Sequence, residues 1–216
     1  MFRLLSTTSR IALVAVTACA VLPSPVALAA DVTIVNGQTQ TTNQSVTDSD
    51  HLTIENGGAI TGSVVWTGTS PAALIDNYGT MGSDTSSTRA FSNSSLSTNP
   101  TDPNITINNH STGVIQSTGD AMNIGNAIGT STIHGSVILN NDGLIETYGS
   151  NQAIDFDKAT NGTVTINNSA TGRIIGTAGT DTIRPGQNAT VNNYGLIRNG
   201  DDEFDFGTGG DGVDFQ

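Results

Sequence analysis

One short phrase recurs along this chain and limits what the chain can fold into. It reads VNNYGLI at Val191 to Ile197 and LNNDGLI at Leu139 to Ile145. Longer forms are INNSATGRI from Ile166 and INNHSTGVI from Ile107, and looser ones are IDNYGTM from Ile75 and IENGGAI from Ile54. An apolar residue leads into an Asn-rich corner, a Gly follows, and an apolar residue stands two positions beyond the Gly. Corresponding Asn residues fall at Asn77, Asn109, Asn141, Asn168 and Asn193, in steps of 32, 32, 27 and 25. Steps of that size are too short for a propeller blade and suit one turn of a solenoid.

Within a unit the pattern predicts three short strands. TVTINN (Thr163 to Asn168) exemplifies the first and GRIIG (Gly172 to Gly176) the second. The third reads AMNI from Ala121, AIDF from Ala153, TIRP from Thr182 and EFDF from Glu203. The expected fold class is therefore all-β, a parallel β-helix with three short strands per coil. Equivalent residues of successive coils then lie about 4.7–4.9 Å apart, so stacked Ile residues fill a continuous core and stacked Asn side chains hydrogen-bond along it. Asn and Gly at the corner are expected in left-handed backbone conformations, which they tolerate best. Unequal steps imply loops of unequal length leaving one corner, with the Ser/Thr/Asn/Pro-rich stretch from Ser83 to Pro103 as the largest. Residues 31–50 read as an N-terminal cap or irregular β segment, and residues 51–216 as the repeats.

Few aromatic residues (5%) and much Asn, Ser, Thr and Gly point toward disorder, but the regular return of Ile, Val and Leu argues for periodic β structure. The formal net charge is −12, and Lys158 is the one lysine. That balance argues against nucleic acid and against anionic membrane surfaces, both of which demand Lys and Arg. Residues 1–30 read as a signal peptide. Arg3 and Arg10 form its positive start, Ile11 to Leu22 its apolar run, and Ala27-Leu28-Ala29 its cleavage pattern. Cleavage after Ala29 or Ala30 takes the charge from −12 to −14 and removes Cys19, the single cysteine. VTAC (Val16 to Cys19) offers a rival reading as a lipobox. The mature chain then holds no disulfide or thiolate site.

No catalytic residue is assigned. His51, His110 and His134 are scattered without metal-ligand spacing, and His110 occupies the corner position held elsewhere by Tyr78, Asp142, Ser169 and Tyr194. The third strands align Asn123, Asp155, Arg184, Asp205 and Asp214 in one outward column. Its plainer reading is a solvent-facing ladder alternating with inward Ile124, Phe156, Phe206 and Phe215, or with their neighbours. At the C-terminus, GDDEFDF (Gly200 to Phe206) and GGDGVDF (Gly209 to Phe215) superimpose with a shift of nine. The second meets most of the glycine-rich nonapeptide of calcium-binding β-rolls. Asp202, Asp205, Asp211 and Asp214 are thus the candidate calcium ligands, and calcium the one candidate cofactor. One and a half repeats make a thin site, since calcium takes several oxygens per ion.

The leader, the NNxGxI repeats and the DDEFDF…GDGVDF segment together resemble the passenger region of bacterial autotransporters (type V secretion). The resemblance implies a right-handed parallel β-helix, exported through the periplasm of a Gram-negative bacterium to the cell surface or outer membrane. It also implies an outer-membrane β-barrel partner, whose alternating strands this sequence lacks, so the chain is expected to be an N-terminal fragment, a truncated gene product, or a chain whose barrel lies elsewhere. The expected role is non-enzymatic, as an adhesin or structural protein meeting host-cell, neighbouring-cell or polysaccharide ligands. The alternative is a secreted polysaccharide lyase or hydrolase. Carboxylates grouped with a basic residue in one groove favour the enzyme, whereas rows of Asn and Thr favour the adhesin.

Overall fold

A computed structural model describes residues 29–47, 49–67, 72–94, 103–125, 127–128, 134–177, 179–200 and 212–215. Residues 1–28 of the expected signal peptide (1–30) lie outside these residues, as do Asp202, Asp205 and Asp211.

Apolar residues alternate with polar ones in each predicted strand, and the strands wind into a parallel β-helix. The first coil is β1 (Asp31–Ile34), β2 (Thr39–Gln40) and β3 (Gln44–Val46). The second is β4 (His51–Ile54), β5 (Ala59–Ile60) and β6 (Val64–Trp66), and the third β7 (Ala73–Asn77), β8 (Thr80–Gly82) and β9 (Phe91–Asn93). The fourth holds β10 (Asn104–Asn109), β11 (Val114–Ser117) and β12 (Met122–Asn123), and the fifth β13 (Gly135–Asn141), β14 (Leu144–Thr147) and β15 (Ile154–Asp155). The sixth is β16 (Gly162–Asn168), β17 (Arg173–Gly176) and β18 (Ile183–Arg184), and the seventh begins with β19 (Ala189–Asn193) and β20 (Leu196–Asn199). First, second and third strands form three separate parallel sheets, and Val213 continues the third by a bridge to Ile183.

Register turns the repeat into columns. In the first sheet Leu52, Ile75, Ile107, Leu139 and Ile166 stack. In the second, Ile60, Met81, Ile115, Ile145 and Ile174 do so. In the third, Val64, Phe91, Met122, Ile154 and Ile183 do so. All are at most 1% exposed, so each contributes about 1.5–3 kcal/mol by leaving water.

The Asn residues stack as the repeat implies, in two rows rather than one. The inner row is buried from Asn77 to Asn168 and exposed at its last member, Asn193: Asn77 donates to Asn109, Asn109 to Asn141, Asn141 to Asn168 and Asn168 to Asn193, each at 2.8 Å. The same amides donate to Val114, Leu144, Arg173 and Leu196 carbonyls across the corner. The outer row runs the other way. Asn192 donates to Asn167, Asn167 to Asn140, Asn140 to Asn108, and Asn108 to the Asp76 carboxylate, at 2.8–2.9 Å.

Four expectations need correction. Left-handed glycines occupy the repeat's corner only in the first two coils, at Gly37 and Gly57. From the third coil onward Gly79, Gly113, Gly143, Gly172 and Gly195 are not left-handed, and the remaining left-handed residues, Asn161 and Asn188 among them, lie elsewhere. Those later corner residues are glycine because the coils crowd there. A Cβ on Gly143 would lie 2.3 Å from the Gly113 oxygen, and one on Gly195 2.2 Å from the Ser169 oxygen. Second, IENGGAI is offset, because Ile54 pairs with Asn77 rather than Ile75. Its corner is two residues longer, so Ile54 stands in the inner Asn row, as does Ile34 below it. Third, unequal loops do not leave one corner alone: the Asn corner holds either two or four residues, and the other two corners vary more. Gln40 to Gln44 compares with Gly82 to Phe91 at one, and Val46 to His51 with Asn123 to Gly135 at the other. The stretch from Ser83 to Pro103 is accordingly not all loop, since β9 lies inside it. Fourth, Phe215 is 61% exposed rather than inward. Residues 31–46 form a coil of the same three-strand pattern, paired strand for strand with the second.

Candidate functional site

The outward column of the third sheet carries most of the charge that meets in one place. β12, β15 and β18 are two-residue strands pinned by inward Met122, Ile154 and Ile183, which sets Asn123, Asp155 and Arg184 one above another. Corners add Arg89, Asp120, Gln152 and Asp181. Asn123, 4% exposed, is the hub: its Nδ2 donates to Asp120 Oδ2 at 3.0 Å and to Asp155 Oδ2 at 3.5 Å. Arg89 Nε reaches Asp120 at 3.3 Å. Arg184 lies 3.8 Å from Asp155 and donates to Asp181 at 3.2 Å. Gln152, with its amide turned to suit its neighbours, donates to Asp120 (3.3 Å) and accepts from Arg184 (2.9 Å).

Burial pushes the Asp155 carboxyl above its ordinary value. The Asp157 backbone N–H and Arg184 oppose that shift, while the nearby Asp157 and Asp120 charges reinforce it. Two clefts flank the network. One of about 520 Å³ is lined by Ser63, Arg89, Ser92 and Asp120 among others, and one of about 150 Å³ by Asp157, Lys158, Arg184, Gln187 and Asp214. Two carboxylates, one with a raised pKa, beside a guanidinium are groups that acid–base chemistry on a sugar chain uses.

Of the calcium candidates, Asp214 alone is described. It follows Val213, donates its N–H to the Ile183 carbonyl at 2.9 Å, and lines the smaller cleft beside Lys158 and Arg184. That cleft thus sets two cations and a second carboxylate, Asp157, beside it. Among the described residues no three His, Cys, Asp or Glu side chains converge to hold a metal ion.

The histidines are less scattered than their sequence positions imply. His51 Nε2 lies 2.8 Å from Asp76 Oδ2, and His110 Nε2 lies 2.9 Å from Asp76 Oδ1, so one carboxylate ties the second, third and fourth coils. The His110 ring stacks on Tyr78, with centroids 3.8 Å apart and planes 1° from parallel. Burial alone would raise the Asp76 pKa, but bonds from His110, Asn108 and His51 outweigh it and hold the carboxyl below its ordinary value. Thr53 Oγ1 also meets His51, at 3.3 Å, but through the same Nε2 that meets Asp76. A nucleophile–His–Asp relay needs the two ring nitrogens on opposite partners, so this trio is structural. His134 lines a separate polar cleft with Asn104, Ser136 and Asn161.

Sequence reading had aligned Asn123, Asp155 and Arg184 but missed Asp76, Arg89, Asp120, Gln152 and Asp181. Four of these sit in or beside corners whose lengths differ from coil to coil, which hides their register. The signal for Asp76 was its place before Asn77, matching Asn108 before Asn109.

No protein-family model, no curated protein and no solved structure matches the chain.

Proposed function

We propose that the chain is an exported, non-enzymatic β-helix of the autotransporter-passenger kind, which acts at a cell surface by presenting a contact face. The observation that carries this reading is the outer row of neutral amides, continuous from Asn108 to Asn192 on the largest sheet. A repeated row of one side chain makes an extended contact surface, whereas a reaction centre needs different groups at fixed positions. The leader supports export, and the barrel partner comes from the resemblance. The test is expression of the full chain in a Gram-negative host, followed by fractionation and N-terminal sequencing. A periplasmic or extracellular product starting at Ala30 or Asp31 is expected; an uncleaved cytoplasmic chain overturns the export reading.

The grouping of Asp120 and Asp155 with Arg184 favours a second reading, a carbohydrate-active enzyme. Release of reducing ends or unsaturated products from polysaccharides, abolished by Asp155→Asn, would establish that reading in place of the first.

A further inference from the structure

The outer Asn row ends in a cleft of about 420 Å³, lined by Asn140, Asn167, Asn192, Asp142, Ser169 and Tyr194 among others. Tyr194 is 81% exposed, and no other large hydrophobic residue of the described chain is so exposed. We infer that this cleft binds a neutral, extended oligosaccharide, its hydroxyls on the amide row and one pyranose face against Tyr194.

Four features select that chemistry. Asn108, Asn140 and Asn167 each spend one N–H and one acceptor site within the row, leaving a second N–H and a second lone pair, while Asn192 at its end spends only an N–H there. Asn167, for example, donates to Asn140 and accepts from Asn192, both within the row. A hydroxyl is likewise both donor and acceptor, so the row and a sugar chain match without either having a fixed sense.

The pitch is the second feature. Successive amides are about 4.8 Å apart, close to the advance per residue of an extended β-linked hexopyranose chain. Third, an amphipathic ring standing free beside the polar row offers an apolar platform for the C–H face of a sugar. Fourth, the charge is wrong for anions: the chain carries −12 overall, and Asp142 sits in the cleft. A peptide adding as a strand needs a free sheet edge. Asn140 and Asn167 stand on β13 and β16, each already paired on both sides, so of the strands lining the cleft only β19, at the end of that sheet among the described residues, offers one.

This inference rests on reading the outer row as a contact surface and not on export. A processed, exported chain that binds no sugar would overturn the inference and leave the export reading. An unprocessed chain that binds would do the reverse.

The test is calorimetric titration of the full chain with cellohexaose, with the hexamer of N-acetylglucosamine and, as an anion, with hexagalacturonate. Binding of at least one neutral hexasaccharide is expected, in preference to the anion. Tyr194→Ala should weaken it about ten-fold, as loss of one aromatic contact implies, and Asn167→Leu should weaken it at least as much. Tyr194 is so exposed that its removal leaves the packing intact, which keeps the test valid if Asn167→Leu proves unstable. No binding of either neutral sugar at millimolar concentration, a preference for hexagalacturonate, or binding untouched by Tyr194→Ala would each overturn the inference.

Discussion

The first two coils and the five after them solve the same corner differently. In the first two, the position closing the first strand is Ile34 and then Ile54, both at most 2% exposed. From the third coil onward it is Asn, in an unbroken hydrogen-bonded row. Either column can be buried, since stacked Ile residues satisfy one another by contact and stacked amides by bonds. What cannot be satisfied is the junction. Asn77 Oδ1 faces the Ile54 coil and has no hydrogen-bond partner. The cost of that orphan, about 1–3 kcal/mol, falls once per row, so long runs of one type are favoured over alternation.

Substitutions at the corner test that contrast, and the glycines give the largest expected effect. Gly143→Ala drives a Cβ to 2.3 and 2.4 Å from two backbone oxygens of the coil below, which cannot swing aside. Loss of about 3 kcal/mol is expected in denaturant unfolding. Gly37→Ala, at the same corner of the first coil, meets nothing within 4 Å and has only its φ of +80° to resist it. It should lose about 1 kcal/mol. Equal losses would show that crowding is not what selects glycine in the later coils.

Next come the rows themselves. Asn141→Leu in mid-row takes the donor from Asn168 and the acceptor from Asn109, and about 2–4 kcal/mol of stability should go with it. Asn77→Leu moves the junction up by one coil and removes an existing orphan, so about 1–2 kcal/mol is expected. If thermal melts rank these two in the opposite order, the junction is not where the strain lies.

Two aspartates supply smaller, opposite pH effects. Asp76 has a lowered folded pKa, so its stabilising contribution is present above the unfolded value and is lost as pH falls through the folded one. Melting followed from pH 6 downward should show a decline below about pH 4 that Asp76→Asn flattens. Asp155 has a raised folded pKa, so the folded state binds its proton more tightly than the unfolded chain does. Asp155→Asn should therefore raise the melting temperature slightly at pH 7 and have no such benefit once the pH has fallen below the unfolded carboxyl value. A fall at pH 7 instead would show that its contact with Arg184 outweighs its burial.

Much of the helix was legible because its constraint is periodic. A stacked strand must repeat its apolar positions, so Ile107, Leu139 and Ile166 could be aligned by eye. The inner Asn row was legible for the same reason. IENGGAI was misplaced by two residues because Ile54 serves the row by contact and so carries no Asn to mark it. The reason for the corner Gly was hidden too, since crowding by a carbonyl from another coil leaves no local trace. The site was half legible. Asn123, Asp155 and Arg184 lie on strands and keep register, whereas Asp120, Gln152 and Arg89 are delivered by corners of unequal length. The His51–Asp76–His110 link spans three coils and becomes visible only when the offset of the second coil is known.

The opposed directions of the two Asn rows have a consequence for growth. An amide row that donates always toward one end is a line of aligned dipoles, and its field builds with every unit added. Here the inner row places its positive end toward the C-terminal coils and the outer row toward Asp76, although the two rows are built from neighbouring residues of the same strands. Their fields largely cancel, and the carboxylate absorbs what remains at the outer row's head. A further coil bearing the same Asn-Asn pair would add its bonds without adding to a net moment. Nothing electrostatic in this corner sets a limit on how long such a stack can become.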